Sequence, residues 1–477
     1  IPISVHHGSL SVEPRERAEK GIKSGRLKAV ICTSSMELGV DIGRVDIVVQ
    51  YGSPRQAVKL VQRVGRSGHK VGETSRGIVM ALGPEDALEG AVIARRAMKE
   101  ILEPTRPPPH PLDVLLHFIA SCLIYKRSWS LRELLDLVRR TRSYMDLSEE
   151  KLKELVNFAS KLSNPIFYYD DRGGRVMVRK RTFSYFYENL SMIPEVKQFT
   201  VIEEDTGKLV GVLDEPFVAE YGELGVKFVM AGEIWRISHV IGDRIYVKRE
   251  ESIEGAVPSW VGEEIPVPFE VAREVGEMRA SIEERLEEGL STREVASWLS
   301  EQLPMDLGSS LSIVDLIAKQ KASGCPVPTD KRVVVEAWEE GVAVHVHFGT
   351  RVNRTLARLL AKRVTQATSA PVTVRSDPYR LYLFQEGLSP RLVLKLLVQD
   401  EGDLEGEVLE MVPRTKFFRF RLAHVARRMG VLEEKAEITH SLLERLAESF
   451  RSTPLFEETM REVLMKALAL EWTVRVL

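Results

Sequence analysis

The sequence is poor in cysteine, in net charge and in long apolar runs, and each shortage closes off a class of explanation. Cys32, Cys122 and Cys325 are the only three cysteines in 477 residues, odd in number and far apart. That excludes a disulfide framework or a Cys-rich metal site and leaves reduced core thiols. No stretch reaches the ~20 apolar residues that cross a bilayer, and no charged, apolar, small-residue order marks a signal peptide. A cytoplasmic protein is the expectation. A formal net charge of −2 gives no global basic signature, so any contact with a polyanion has to come from local clusters.

What is present is enough chain for roughly three or four domains. Up to residue 98, short apolar runs (ISV, KAVIC, VDIVVQ, RGIVMAL) alternate with helical segments (PRERAEKGIKSG, PRQAVKLVQRVG, PEDALEGAVIARRAMKE). Such alternation predicts parallel βαβ units, whose functional loops lie at the carboxyl ends of the strands, where HHGSLS and CTSSMELGVD fall. The first residue, Ile1, already sits in a strand-like run, so an upstream segment is expected. A proline-rich hinge, EPTRPPPHP, closes this domain. Three helical segments follow, one opened by a Ser130/Glu133 capping box, and then a hairpin, IFYYDDRGGRVMVRK. Three helices and a hairpin predict a winged helix over 99–197. Its turn carries Arg172 and Arg175, which makes the wing locally basic. Residues 198–270 break into short strands at Gly, Asp and Pro and predict a small β-barrel. Residues 271–477 are mostly helical with a β insertion at RVVVEAWEEGVAVHVHFG and VTVRSDPYRLYLF. The fold class is thus multidomain α/β plus α+β.

The strongest chemical signal is the pair TSSMELGVD (33–41) and QRVGRSGH (62–69), which resembles motifs V and VI of superfamily 2 helicases. The residue types suit those roles. Thr33, with Ser34 beside it, can approach a nucleic-acid phosphate after a strand, and Gly39 lets the backbone turn before Asp41, which would face the nucleotide ribose. Gln62, Arg63 and Arg66 sit at a helix end, where a planar guanidinium can meet the γ-phosphate. Such arginine fingers raise turnover about 10³- to 10⁵-fold. Arg66 is assigned the finger first and Arg63 second, because the last motif position is His69 where many relatives have another arginine. His7 and Gly8 in VHHGSLS resemble the family's segment between motifs IV and V and join the strand-contact set.

The resemblance extends along nearly the whole chain. HPLDVL, GVLDEPFV, AGEIWRI, PSWVGEEIP, VPTDKRVVVE, HFGTRVNRTLA and FRFRLAHVARRMG occur in the order found in large helicase-related (Lhr) proteins. It implies a second RecA-like motor domain at 1–98, N-terminally incomplete, then the winged helix, the β-barrel and a helical Lhr-type C-terminal domain. It also implies ATP-driven 3′-to-5′ movement on single-stranded nucleic acid and unwinding of DNA or RNA:DNA duplexes in DNA repair. The chain has no GxxxxGK[ST] loop and no Asp-Glu-x-His box. ATP and Mg²⁺ are therefore expected at an interface with a first motor domain, and the chain alone is expected to be inactive as an ATPase.

Other residues carry weaker signals. Trp235 in AGEIWRI resembles the family's base-stacking tryptophan, with core packing as the competing assignment, whereas Trp260 and Trp338 read as structural. Arg351, Arg354, Arg358 and Lys362 line one helix face opposite Leu356, Leu359 and Leu360, and Arg414, Arg421 and Arg428 recur every seven residues. Either face can meet phosphates or simply be solvated. His345 and His347 share a strand face without a third ligand, so no metal is expected. Two other function classes remain open at this level: an ATP-independent nucleic-acid binding or annealing module, and a lesion-processing activity for which no residue constellation speaks.

Overall fold

The computed structural model describes residues 2–6, 12–37, 45–68, 74–105, 107–193, 198–215, 217–218, 222, 224–230, 232–252, 257–258, 265–399, 403–433, 436, 440–466 and 468–476. His7, Gly8, Gly39, Asp41, His69 and Trp260 lie outside them. Two compact units emerge, both discontinuous in sequence: one from 1–105, 265–401 and 470–477, the other from 106–264 and 402–469. The segment expected as one helical domain, 271–477, thus contributes to both.

The first unit opens with the expected alternation: β1 (Ile3–His6), α1 (Val12–Lys23), β2 (Ala29–Cys32), β3 (Val48–Tyr51), α2 (Ala57–Val64), β4 (Gly77–Met80) and α3 (Pro84–Met98). β1 pairs with β2 and β3 with β4, both in parallel, as βαβ connections require. One face of these strands is bare among the described residues, with Val5, Ile31, Val49, Tyr51, Ile78 and Met80 all exposed.

The second unit begins with α4 (Leu112–Tyr125), β5 (Ser128–Ser130), α5 (Leu131–Val138), α6 (Glu149–Ser160), β6 (Phe167–Asp170), β7 (Arg175–Val178) and α7 (Lys180–Glu188). The helix, strand, helix, helix, hairpin order and the sheet order β5-β7-β6 are those of a winged helix. The predicted capping box is formed: the Ser130 hydroxyl accepts from the Glu133 N–H at 3.2 Å, and the Glu133 carboxylate accepts from the Ser130 N–H at 2.8 Å.

β8 (Gln198–Glu203), β9 (Leu209–Asp214), β10 (Lys227–Met230), β11 (Glu233–Ile241), β12 (Arg244–Glu250) and β13 (Val257–Pro258) make one sheet in the order β13-β10-β11-β12-β8-β9. Among the described residues no pairing closes this sheet into the expected barrel. It curls nonetheless: a Cβ on Gly211 of edge strand β9 would lie 2.7 Å from Met230 Sδ on β10. Phe228, Trp235, Ile237 and Val247 fill the concave side.

The chain then returns to the first unit with α8 (Phe269–Glu287), α9 (Thr292–Gln302), α10 (Leu307–Ala322), β14 (Val334–Trp338), β15 (Gly341–His345), α11 (Thr350–Thr368), β16 (Thr373–Ser376), β17 (Arg380–Phe384) and α12 (Pro390–Leu397). α8 to α10 share one core with the motor segment, in which Leu60, Leu88, Val92 and Ile93 meet Val271, Val295, Leu299 and Ile317. β14 to β17 form an antiparallel sheet in the order β14-β15-β17-β16. Val342, Val344, Leu381 and Leu383 on one face are buried, and α11 packs against β16 and β17. α13 (Leu404–Met411), α14 (Lys416–Arg428), α15 (His440–Ser449) and α16 (Pro454–Lys466) complete the second unit, and α17 (Leu470–Val476) ends the first. No helix among the described residues is long and apolar enough to cross a membrane.

Candidate functional site

The motif V loop starts where β2 ends. Thr33 is exposed, with its N–H donating to the His6 carbonyl at 3.4 Å, and it precedes a single 3₁₀ turn, Ser34–Met36. Ser34 is exposed beside it. Behind them His6 is buried, its Nδ1 2.8 Å from Ser35 Oγ and its Nε2 2.9 Å from Glu19 Oε1. The loop therefore rests on a fixed polar base at the carboxyl end of a strand, the expected place for a functional segment.

Motif VI lies on α2, whose start is held by an anion. Both carboxylate oxygens of Glu103 accept from the N–H groups of Ala57 and Val58, each at 2.8 Å, satisfying two orphan donors at the positive end of the helix. Gln56 Nε2 also donates to the Pro266 carbonyl at 2.8 Å. These ties fix where Arg63 leaves the helix and where the following turn sets Arg66.

The two arginines have different surroundings. Arg63 donates from Nε to Glu37 Oε1 at 2.7 Å and from Nη1 to Gln50 Oε1 at 2.8 Å, and Lys59 Nζ joins Glu37 Oε2 at 2.9 Å. Glu37 is 4 % exposed. Burial pushes its carboxyl up, but hydrogen bonds from Lys59 and Arg63 and their charges outweigh this and hold it below the ordinary value of 4.5. Arg63 thus braces α2 against the motif V loop. Arg66 makes one long contact, Nε to the Gln62 carbonyl at 3.4 Å, and has no carboxylate partner among the described residues. The side-chain oxygen of Gln62 is buried without a hydrogen-bond partner. Sequence reasoning missed Glu37, although its place inside motif V was in view.

Three expected strand contacts are overturned. Trp235 is 3 % exposed, donates from Nε1 to the Met230 carbonyl at 3.0 Å and packs in the sheet core. Its ring is covered and unavailable to a base. Arg421 lies 4.0 Å from Glu462 and stacks against Phe417 and Phe420, with ring-centre distances of 5.3 and 5.6 Å. Its neighbour Arg428 is buried between Asp113, at 2.6 Å, and Glu462. Of the three arginines at seven-residue spacing, Arg428 is buried in an ion network, Arg421 lies at its edge, and Arg414 is exposed beside Glu410. In the wing, Asp170 accepts from the backbone N–H of Arg172 at 3.1 Å, Asp171 pairs with Lys153 at 2.8 Å and Arg175 donates to Ser128 Oγ at 3.0 Å. Arg172 and Arg175 are nonetheless exposed.

On α11, Arg354 and Arg358 are half-buried and Arg351 exposed, and Arg358 Nη1 donates to the Arg354 carbonyl at 3.0 Å. Asp113, Glu458 and Glu462 bring three carboxylate oxygens within 4.8 Å of one another. Arg428 pairs with Asp113 and Glu462, and Arg461 with Glu458, so all three carboxylates belong to an ion network.

A helicase C-terminal domain followed by a winged helix defines the class: this is a portion of a superfamily 2 helicase. Residues 1–70 match the model of the helicase conserved C-terminal domain, 95–257 that of the large helicase-related protein winged helix domain, and 327–477 that of the DEAD/H associated region. The chain is 29 % identical to the ATP-dependent helicase Lhr-Core protein 2 of Thermococcus barophilus, over 97 % of this chain and 56 % of that protein. It is 28 % identical to the ATP-dependent helicase Lhr-Core of Saccharolobus solfataricus, over 97 % and 55 %. The fold is that of the Mycobacterium smegmatis helicase Lhr bound to ssDNA and AMP-PNP, with a TM-score of 0.73 and 24 % identity over 100 % of this chain and 58 % of that one. The chain is similar to large helicase-related proteins along nearly its whole length and spans a little over half the length of the relatives it matches.

Proposed function

We propose that this chain is the strand-guiding back half of an ATP-dependent helicase that moves 3′ to 5′ on single-stranded nucleic acid and separates DNA or RNA:DNA duplexes in the course of repair, in the cytoplasm. The observation that carries the reading is the contrast within motif VI, where Arg63 on α2 is held in a brace and Arg66, in the turn just past the helix end, has no carboxylate partner among the described residues. A guanidinium without a carboxylate fits a triphosphate, which supplies the cleavable phosphoanhydride together with its Mg²⁺. In this reading Arg66 places positive charge against the γ-phosphate, with Gln62, Gly39 and Asp41 beside the nucleotide. Thr33, Ser34, His7 and Gly8 touch the strand backbone, and Arg172, Arg175, Arg351, Arg354 and Arg358 line its path. Glu103 and Arg63 hold the helix that presents Arg66. The apolar strand face around Val5, Ile31 and Val49 supports a further layer of the motor packing there.

The test is strand-stimulated ATP turnover by the chain joined to a first motor domain that carries a phosphate-binding loop. Turnover is expected only in the joined protein. Arg66→Ala should lower it by about 10³-fold or more while the protein melts as before. Equal turnover with and without Arg66 would remove the finger assignment. A duplex with a 3′ tail should be opened and one with a 5′ tail left intact.

A further inference from the structure

The antiparallel sheet β14 to β17 buries one face under α11, and the other face is unlike a packed surface. In the strand register, Glu336 pairs across to Ala343 and Tyr382, Trp338 to Gly341 and Phe384, and His345 to Arg380. Trp338, Tyr382 and Phe384 therefore stand together, with ring centres 5.6 to 6.4 Å apart. All three rings are half-buried. Arg375 lies 5.6 Å over the Phe384 ring. The small side chain of Ala343 floors a cleft of about 250 Å³ walled by Trp338, Tyr382, His345 and Arg380. That is several times the ~30 Å³ share of a water molecule and leaves room for a planar ring.

A second cavity of about 90 Å³ shares His345 and Arg380 with the first and reaches Arg279, Gln320 and His347. Arg279 is 6 % exposed, yet its hydrogen bonds go to neutral acceptors, Nε to the Pro328 carbonyl at 3.0 Å and Nη2 to Gln320 Oε1 at 3.4 Å. His347 is 4 % exposed and its Nδ1 has no partner. The acids nearby are already engaged: Glu85 with Arg380, Asp377 with Arg380 at 3.5 Å, and Glu336 with His345 at 2.9 Å. The second cavity sets two guanidinium groups, Arg279 and Arg380, and the imidazoles of His345 and His347 against the single carboxylate of Glu85. Positive groups thus outnumber the acid there, and the first cavity has the width for a planar ring.

We propose that this sheet face is a second contact for single-stranded nucleic acid, separate from the motor motifs, which seats one unpaired base in the Ala343 cleft against Trp338 and Tyr382 and directs its phosphate toward Arg380 and Arg279. Aromatic side chains on an open sheet, interleaved with cations, bind bases by their faces and tolerate any sequence. Glu336 is an acceptor suited to a base's exocyclic amino group. The inference rests on the reading of the chain as a strand-handling part, and it holds with or without ATP.

The experiment uses the 477-residue chain and a fluorescent single-stranded oligonucleotide of mixed sequence without ATP, read by anisotropy. Tyr382→Ala, and separately Ala343→Leu to fill the cleft, should weaken binding roughly 5- to 150-fold, the range that loss of one base stack produces. Ultraviolet crosslinking of an oligonucleotide containing 4-thiothymidine to the unaltered chain should label peptides from 334–345 or 380–384, a readout independent of how the variants fold. Unchanged affinity in both variants, or crosslinks confined to other peptides, overturns the platform and leaves the strand-handling reading standing. No binding by the unaltered chain overturns both.

Discussion

The side chains of motifs V and VI were recognisable from their order, but their division of labour was not. Glu37 and Arg63 are 26 positions apart, and only the fold shows that they hold each other. Two predictions separate brace from finger. Glu37→Ala, which leaves Lys59 and Arg63 without their shared carboxylate, should destabilise the protein by about 1–3 kcal/mol in denaturant unfolding. Arg66→Ala should leave unfolding unchanged. The pH dependence of the brace has a definite sign. Because the folded Glu37 carboxyl sits below its ordinary value, its contribution is present above about pH 4.5 and is lost as pH falls through the folded value. Trp235 shows why a residue's face can be illegible: it alternates with Ile234 and Arg236, yet Ile237 lies on its own side and a bulge follows. With apolar residues on both phases, the period of two does not say which side is core.

At the scale of elements the sequence was a better guide, because caps and periodicity are local. The Ser130 box, the hairpin of the winged helix and the parallel pairs of the motor segment all follow from neighbours a few residues apart. The sheet β14 to β17 was visible as strands, and RLYLF already alternates between buried leucines and the Arg380, Tyr382, Phe384 row. That row's meaning depended on Trp338 and Ala343 arriving from other strands. Two joints between elements carry predictions. Gly349, at φ +81°, starts α11 where an added Cβ would come within 2.7 Å of the Val267 carbonyl. Gly349→Ala should lower the melting temperature, since both the backbone conformation and the close approach exclude a side chain. In the network around α4, α14 and α16, burial beside Asp113 pushes the Glu458 carboxyl up, to about 7. A raised folded value means the folded state holds the extra proton. Stability from this group is full below about pH 4.5 and is lost as pH rises through 7, the opposite slope to Glu37. Glu458→Gln should flatten that part of the unfolding profile between about pH 5 and 7.

Across the whole molecule, the organisation least visible in the sequence is the interleaving of the two units. Composition marked a hinge near residue 105, and the compact units do part there. Nothing local announced that 265–401 would rejoin 1–105, or that 402–469 would rejoin the winged helix, because both depend on contacts between apolar faces hundreds of residues apart. Ending the chain at residue 401 should therefore cost more than helices. Asp113, Tyr185 and the Leu112 N–H would lose Arg428 and Glu458, their partners on α14 and α16. Limited proteolysis of the shortened protein should cut within 106–264, where the full chain resists.

The shared core of the first unit also sets a timetable. Leu88, Val92 and Ile93 are made early, but Val271, Leu299 and Ile317, which cover them, follow roughly two hundred residues later. At ribosomal rates of about 5–20 residues per second, that face waits roughly 10 to 40 seconds for its cover. During synthesis the motor segment is thus a natural client for a chaperone.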